Sequence, residues 1–337
     1  MRILYVLSDS IRHIQRMALT SSYQIGHTCF CIKPSALHGH SSSLSGLRGR
    51  RKRICVNTAN RLLAVLNLFT VEKPEWTVEE AAKQMGVPLS TVYRYFRELS
   101  KAGFLDPFSG GKYILGPAVI ENDRTIRLTD PLIKVGRPAL ERLIARSGSV
   151  GVALLCRIYR NCVMCVHQEP AALPENTISY ERGRLMPMFR GASSKVIFAN
   201  LPSRTAHWFF EKYPAEIAAA GLGSDWETIK VNLRRIRKAG LHITRAEVDE
   251  GRIGIAAPVF GRERVVIGSV TMAISEGEAT PQFIANISAL VQATAREIDA
   301  GLQFLSGDAP QNDGSALFYQ PLYSPQNARI ADAPKAS

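Results

Sequence analysis

The stretch from Thr77 to Phe104, TVEEAAKQMGVPLSTVYRYFRELSKAGF, leaves the chain little choice of local structure. Thr77 followed by Glu80 has the spacing of a capping box, in which each side chain satisfies a backbone N–H of the first helical turn. Gly86 suits the end of that helix, because glycine enters the left-handed conformation at little steric cost. A second helix is predicted to start near Pro88–Ser90 and to end at Gly103, with Val92, Phe96 and Leu99 as its buried stripe. Only a few residues separate the two helices, as a helix-turn-helix requires. Upstream, Ala59, Leu62, Leu63, Leu66 and Phe69 mark one apolar face of a preceding helix, capped by Asn57 or Thr58. Downstream, FLDPFSGGKYIL reads as strand, glycine turn, strand. Helix, helix, short turn, helix and hairpin make a winged helix-turn-helix.

In this motif the third helix enters the major groove with its N-terminal residues leading. With Val92, Phe96 and Leu99 turned inward, Ser90, Thr91, Tyr93, Arg94 and Arg97 face out. Hydroxyls and guanidinium groups there can hold phosphates or read base edges. Thr77 at the start of the second helix and Lys112 beside the hairpin turn complete the predicted contact set for double-stranded operator DNA. The bland alternative is a solvated helix face; the ordered run of capping box, glycine turn, polar-nosed helix and Gly-Gly hairpin favours DNA. Net charge adds little. The chain carries +13, but residues 1–56 hold +8 of it, residues 57–127 only +1 and the rest +4.

Composition divides the chain. Residues 1–53, with HGHSSSLSGLRGRRKR, read as a disordered basic extension or an upstream segment, with a DNA-contacting arm as the alternative. Residues 54–122 form the predicted winged domain and residues 123–147 a linker helix carrying Leu132, Val135, Leu140, Leu143 and Ile144 on one side. Residues 148–306 mix strands and helices, and residues 307–337 read as a disordered tail. In the mixed region, SVGVALLCRIY, NCVMCVHQE and ENTISYERG are expected strands. ASSKVIFANLP, SRTAHWFFEKYPAEIAAAG and DWETIKVNLRRIRKAG are expected helical stretches. GIAAPVFGRERVVIGSVTMAIS reads as a hairpin, and a long helix closes the domain. The fold class is α+β, with helices on an antiparallel sheet. No apolar run approaches 18 residues and the N-terminal run is too short for a secretory signal, so no membrane partner is expected. Six scattered cysteines fit a reducing cytoplasm.

Candidate chemistry in the second region is sparse. Cys162 and Cys165 are spaced as C-x-x-C, but on a strand they point to opposite faces, and no second pair follows with zinc spacing. His167, two residues after Cys165, shares its face by alternation and makes a poor metal site with it. GASSK is neither a nucleophile elbow nor Ser-x-x-Lys, and Lys195 reads as an ordinary helix side chain. No enzyme activity, metal or cofactor is expected. GASSKV instead opens a helix, whose free N–H groups suit a carboxylate.

Taken in order, PLSTVYRYFRELSKAGFL, GGKYILGP, GRLMPMFRGASSKVIFANLP and RAEVDEGRIGIAAPVFGRERVVIGSVTMAIS resemble the recognition helix, wing and two effector-domain segments of the isocitrate lyase regulator (IclR) family of bacterial transcription factors. The resemblance covers roughly residues 57–305. It implies a winged helix-turn-helix followed by a GAF-like effector domain, a small-molecule effector, and a homodimer or homotetramer. Residues at the family's effector-contacting positions are Ala192, Ser193, Thr244 and Thr271. Met188 and Phe189 would wall that pocket. The chain departs from the family pattern at Phe189, Ser194, Val196 and Gly254, where His, Gly, Ala and Cys are usual. Two rival readings are an enzyme domain fused to a DNA-binding domain and a DNA-binding protein without a ligand.

Overall fold

The computed structural model describes residues 58–170, 178–277 and 279–307. The basic extension over 1–53, the cap candidate Asn57 and the tail beyond Gly307 lie outside them.

The winged domain follows from its local signals. Helix α1 spans Thr58–Leu66, strand β1 Trp76–Thr77 and helix α2 Val78–Met85. Thr77 accepts from the Glu80 N–H at 3.2 Å and its own N–H donates to the Glu80 carboxylate at 3.1 Å. Gly86 ends α2 at φ +61°. Helix α3 covers Leu89–Lys101, and strands β2 (Leu105–Pro107) and β3 (Lys112–Leu115) follow. The small antiparallel sheet has the order β1-β3-β2. Val65, Ala81, Val92, Phe96, Leu99 and Leu105 form the core, and Tyr95 joins the stripe predicted for α3. Helix α1 is shorter than its apolar spacing suggests: it stops at Leu66, and Phe69 reaches the core from the next turn, its ring 6.5 Å from Phe96.

The stretch expected as one linker helix is two. Helix α4 spans Ala118–Thr129 and α5 spans Pro131–Arg146. Asp130 divides them in extended backbone, and its carboxylate accepts from the Leu132 and Ile133 N–H groups. The second domain is built on a six-stranded antiparallel sheet of order β6-β5-β4-β9-β8-β7. Its strands are β4 (Val152–Tyr159), β5 (Cys162–Pro170), β6 (Leu185–Pro187), β7 (His242–Arg245), β8 (Arg252–Phe260) and β9 (Val266–Ser275). Helices α6 (Gly191–Asn200), α7 (Ser203–Lys212), α8 (Pro214–Ala219) and α9 (Trp226–Ala239) lie between β6 and β7, and α10 (Pro281–Gly307) ends the domain.

Both faces of the sheet are covered, so its strands are apolar nearly throughout. On one face Leu155, Ile255, Val270 and Met272 meet Leu140 and Leu143 of α5 and Val291 and Ile298 of α10. On the other, Leu154, Cys156, Cys165 and Ala256 meet Val196 and Phe198 of α6 and Phe209 of α7. Helix α5 thus belongs to the core of this domain.

Three local expectations change. No strand occupies residues 178–183; β6 lies just beyond, and the rest of ENTISYERG lies outside the described residues. Pro214, which lacks an N–H and cannot continue a helix interior, separates α7 from α8. His167 does not share the face of Cys165. A bulge leaves Val166 unpaired, so Cys165 pairs with Cys156 while His167 pairs with Leu155, on the α5 side. Cys162 and Cys165 do lie on opposite faces, the first opposite Tyr159.

Candidate functional site

Two polar surfaces stand out. The first is the outer side of α3 with the wing. Ser90, Tyr93, Arg94 and Arg97 are exposed and Thr91 half-buried, with Tyr93 60% exposed despite its large ring. A hollow of about 300 Å³ lies between the start of α2, Tyr93 and the wing, lined by Thr77, Phe108, Gly110 and Lys112. The structure therefore gathers Thr77, Tyr93 and Lys112 around one concavity, while Ser90, Thr91, Arg94 and Arg97 continue along α3. Acidic neighbours already hold several cations. Lys112 Nζ lies 2.9 Å from Glu75, which raises the Lys112 pKa, and Arg97 lies 3.1 Å from Glu98. Arg94 has no carboxylate at ion-pair distance among the described residues; its guanidinium lies 6.0 Å from the Tyr95 ring. Exposed Phe108 at the wing was absent from the predicted set, because a lone aromatic in a turn carries no periodic signal.

The second surface is a small cleft of about 40 Å³ between the start of α6, the β7–β8 connection and the sheet. Ala192, Ser193, Thr244 and Thr271 all line it, although they come from α6, β7 and β9. Ser193 and Thr271 are buried and their hydroxyl oxygens lie 2.7 Å apart. Leu154, Ile178, Val248 and Ala273 supply apolar wall. Gly254 supplies room: a Cβ there would sit 3.3 Å from both Ala192 Cβ and Thr244 Oγ1. Gly254 thus keeps this part of the cleft open. Met188 and Phe189 do not line it. Both turn into the core, where Phe189 packs 5.8 Å from Tyr213, because the chain must bury them beneath α7 and α8.

Charged groups that sequence reasoning passed over frame the cleft: Arg190, Glu247, Asp249 and Arg252. Lys195, read as an ordinary helix side chain, is 3% exposed. Its ammonium lies 2.5 Å from Glu247 Oε1 and donates to the Ala220 carbonyl at 2.6 Å. Glu247 Oε2 accepts from the Gly191 N–H at 3.1 Å, so a protein carboxylate already occupies the first donor of α6. Burial, reinforced by the Lys195 charge, pushes nearby His242 down to about 4. Asp249 accepts from the Ser179 N–H at 3.2 Å and ties the β7–β8 connection to residues 178–184. That segment also carries Tyr180, which lines the cleft, and Arg182. The Arg182 guanidinium reaches Asp123 of α4 at 2.6 Å and the Val166 carbonyl at 2.7 Å. Beneath the cleft, Cys156 faces Cys165 across one ladder and Ser269 across the other, and the facing thiol and burial keep Cys165 protonated. Among the described residues no group of three His, Cys, Asp or Glu could hold a metal ion.

Comparison with known proteins covers both parts. Residues 58–107 match the IclR helix-turn-helix domain and residues 128–300 match the bacterial transcriptional regulator IclR C-terminal domain. The chain is 25% identical over 242 residues to the HTH-type transcriptional regulator KipR of Bacillus subtilis, covering 72% of this chain and 95% of the relative. An IclR transcriptional regulator from Alicyclobacillus acidocaldarius shares the fold at a TM-score of 0.61 and 19% identity, over 73% of this chain and 98% of that one. An IclR homologue from Microbacterium hydrocarbonoxydans, solved with 4-hydroxybenzoate, matches at a TM-score of 0.57 and 19% identity, over 74% and 100% of the two chains.

Proposed function

Because the chain belongs to the IclR family of bacterial transcriptional regulators, we propose that α3 and the wing bind operator DNA and that a small organic acid in the cleft controls that binding. The carrying observation is convergence: four residues scattered from Ala192 to Thr271 line one cleft, which is mostly apolar with a few polar groups. Since Glu247 holds the Gly191 N–H, the acid's carboxylate goes to the Arg190 guanidinium, whose Nε donates to the Glu247 carbonyl while the side chain stays exposed. Arg252 adds positive charge nearby. The Ser193 and Thr271 hydroxyls orient the ligand. An enzyme is less well supported, because among the described residues no imidazole lines the cleft to activate Ser193.

The protein acts in the cytoplasm as a homodimer or homotetramer. One winged domain reads few base pairs, and paired domains read two half-sites. Ile120, Ile126 and Leu128 on α4 are exposed apolar side chains, which fit a contact with a second copy.

Operator anisotropy on a natural site found by genome-wide mapping tests both halves. Arg94→Ala is expected to cost about 1–3 kcal/mol of specific binding with an unchanged melting curve. Ser193→Ala with Thr271→Val is expected to keep operator affinity and lose the response to the acid. Wild-type binding in the first variant removes Arg94 from the interface, and a full response in the second moves the effector elsewhere.

A further inference from the structure

Tyr180 was absent from every sequence-based candidate set, yet it lines the cleft and is only 5% exposed. Its hydroxyl is buried with no hydrogen-bond partner among the described residues. The Cys156 thiol lies beside it, and a thiol is a weak hydrogen-bond partner. A buried hydroxyl left unmet lowers stability, and the protein could remove the cost by carrying Phe. We propose that the Tyr180 hydroxyl is a specificity-determining contact that hydrogen-bonds an uncharged oxygen, a carbonyl or hydroxyl, on the bound acid.

This inference rests on the cleft reading above and narrows it to hydroxy- or oxo-acids. The inner end of the cleft offers only uncharged groups: the Ser193 and Thr271 hydroxyls line it, and Cys156, Ser269 and Cys165 lie buried beneath it. A carboxylate placed there would lose its hydration with no countercharge to replace it. Arg182, two residues along, is turned away to Asp123 and the Val166 carbonyl. Lys195 is held by Glu247. An uncharged oxygen is the group such a site accepts without that loss. The ligand therefore lies with its carboxylate toward exposed Arg190 and its second oxygen toward Tyr180.

The test uses the full chain and two matched probe pairs, pyruvate against propionate and 4-hydroxybenzoate against benzoate, with binding read by calorimetry and thermal shift. In at least one pair the oxygenated acid is expected to bind roughly three- to tenfold tighter, the worth of one neutral hydrogen bond. Tyr180→Phe is expected to erase that preference and, without ligand, to melt at or above the wild-type temperature. A preference that survives in Tyr180→Phe overturns the assignment. So does a lower melting temperature of the free variant, which would mean that the hydroxyl is already satisfied within the protein. Equal binding of both members of each pair to wild type overturns the Tyr180 contact and leaves the acid cleft standing. Binding of none of the four overturns the acid cleft as well.

Discussion

The winged domain and the sheet domain use the same polar residue types in opposite ways. In the winged domain the ion pairs Lys73–Glu80, Arg97–Glu98 and Lys112–Glu75 all lie at the surface, and polar side chains face outward. In the sheet domain eight polar or charged side chains are buried, from Ser147 to Thr294, and among described residues none lies in the winged domain. The reason is architectural. Three short helices around a three-stranded sheet leave a small interior that encloses few polar atoms, such as Ser100 Oγ and the Trp76 N–H, so most of their polar groups are displayed. A sheet covered on both faces has interior to spare, and can enclose Lys195, Ser193 and Thr271 where their partners are fixed. One domain displays its polar groups, and the other encloses a set of them.

The sharpest way to break this contrast is to neutralise one carboxylate in each domain. Glu247→Gln leaves the Lys195 ammonium buried with the Ala220 carbonyl as its remaining partner. The expected loss is about 2–4 kcal/mol, toward the lower end because Glu247 itself is partly solvated. Glu75→Gln removes the Lys112 partner at the surface and should cost less than about 1 kcal/mol. Urea unfolding of both variants reads the difference. Equal losses would mean that burial of Lys195 does not separate the two domains energetically.

Legibility in the sequence follows the same division. The winged domain announces itself through neighbours in sequence: Thr77 with Glu80, Gly86 before Leu89, and Val92, Phe96 and Leu99 on one stripe. These signals act within one or two turns, so most of them can be read without knowing distant contacts. The sheet domain depends on contacts far apart in sequence. The four-residue strand β7 was missed because it is too short to show alternation, and the bulge at Val166 redirected His167 because a single unpaired residue shifts the phase of everything after it. Ala192, Ser193, Thr244 and Thr271 came from resemblance, position by position. Tyr180, Arg190, Glu247 and Asp249 did not, since a charged or aromatic residue in an irregular segment reads as solvated until tertiary structure folds it over a cleft. Lys195 misled for the same reason: lysine is seldom buried, and its partner Glu247 lies 52 residues away.

Two half-buried titratable groups of the sheet domain, His242 and Asp299, predict opposing pH responses. His242 titrates at about 4 when folded and at 6.5 unfolded, so its contribution is fully present above pH 6.5 and is lost as pH falls toward 4. Asp299, which accepts from the Phe260 N–H at 2.7 Å, is raised by burial to about 6 from 3.8. Its contribution is present below pH 3.8 and is lost as pH rises through 6. Each amounts to about 2 kcal/mol after allowing for partial solvation. Wild-type stability should therefore change little between pH 6 and 4.5 from this pair. His242→Gln should become more stable on acidification over that window, and Asp299→Asn, which keeps the Phe260 bond, should become less stable. Melting temperatures measured across the window give the sign directly, and parallel curves for the two variants would refute both assignments.

The smallest expected effect on stability tests how the two regions communicate. Arg182 joins the cleft segment to α4 through Asp123, and both side chains are part-exposed, so Arg182→Ala should cost less than about 1 kcal/mol. Its functional effect should exceed its structural one. Ser179 and Tyr180 touch the cleft through Asp249 and the ring itself, and Arg182 follows them on the same short segment. A ligand that shifts this segment pulls on α4, which leads directly from the wing strand β3. Coupling is a free energy shared by both sites, so it can be lost while each site keeps its own affinity. In Arg182→Ala, operator binding without acid and acid binding without operator should both stay within about twofold of wild type, while the acid's effect on operator affinity falls by about 1 kcal/mol. The exchanged pair Arg182→Asp with Asp123→Arg should recover it, because the attraction is restored with the partners reversed. Undiminished coupling in Arg182→Ala would show that the signal reaches α4 by another contact, and the Asp130–Arg157 pair at 2.7 Å is the next one to cut.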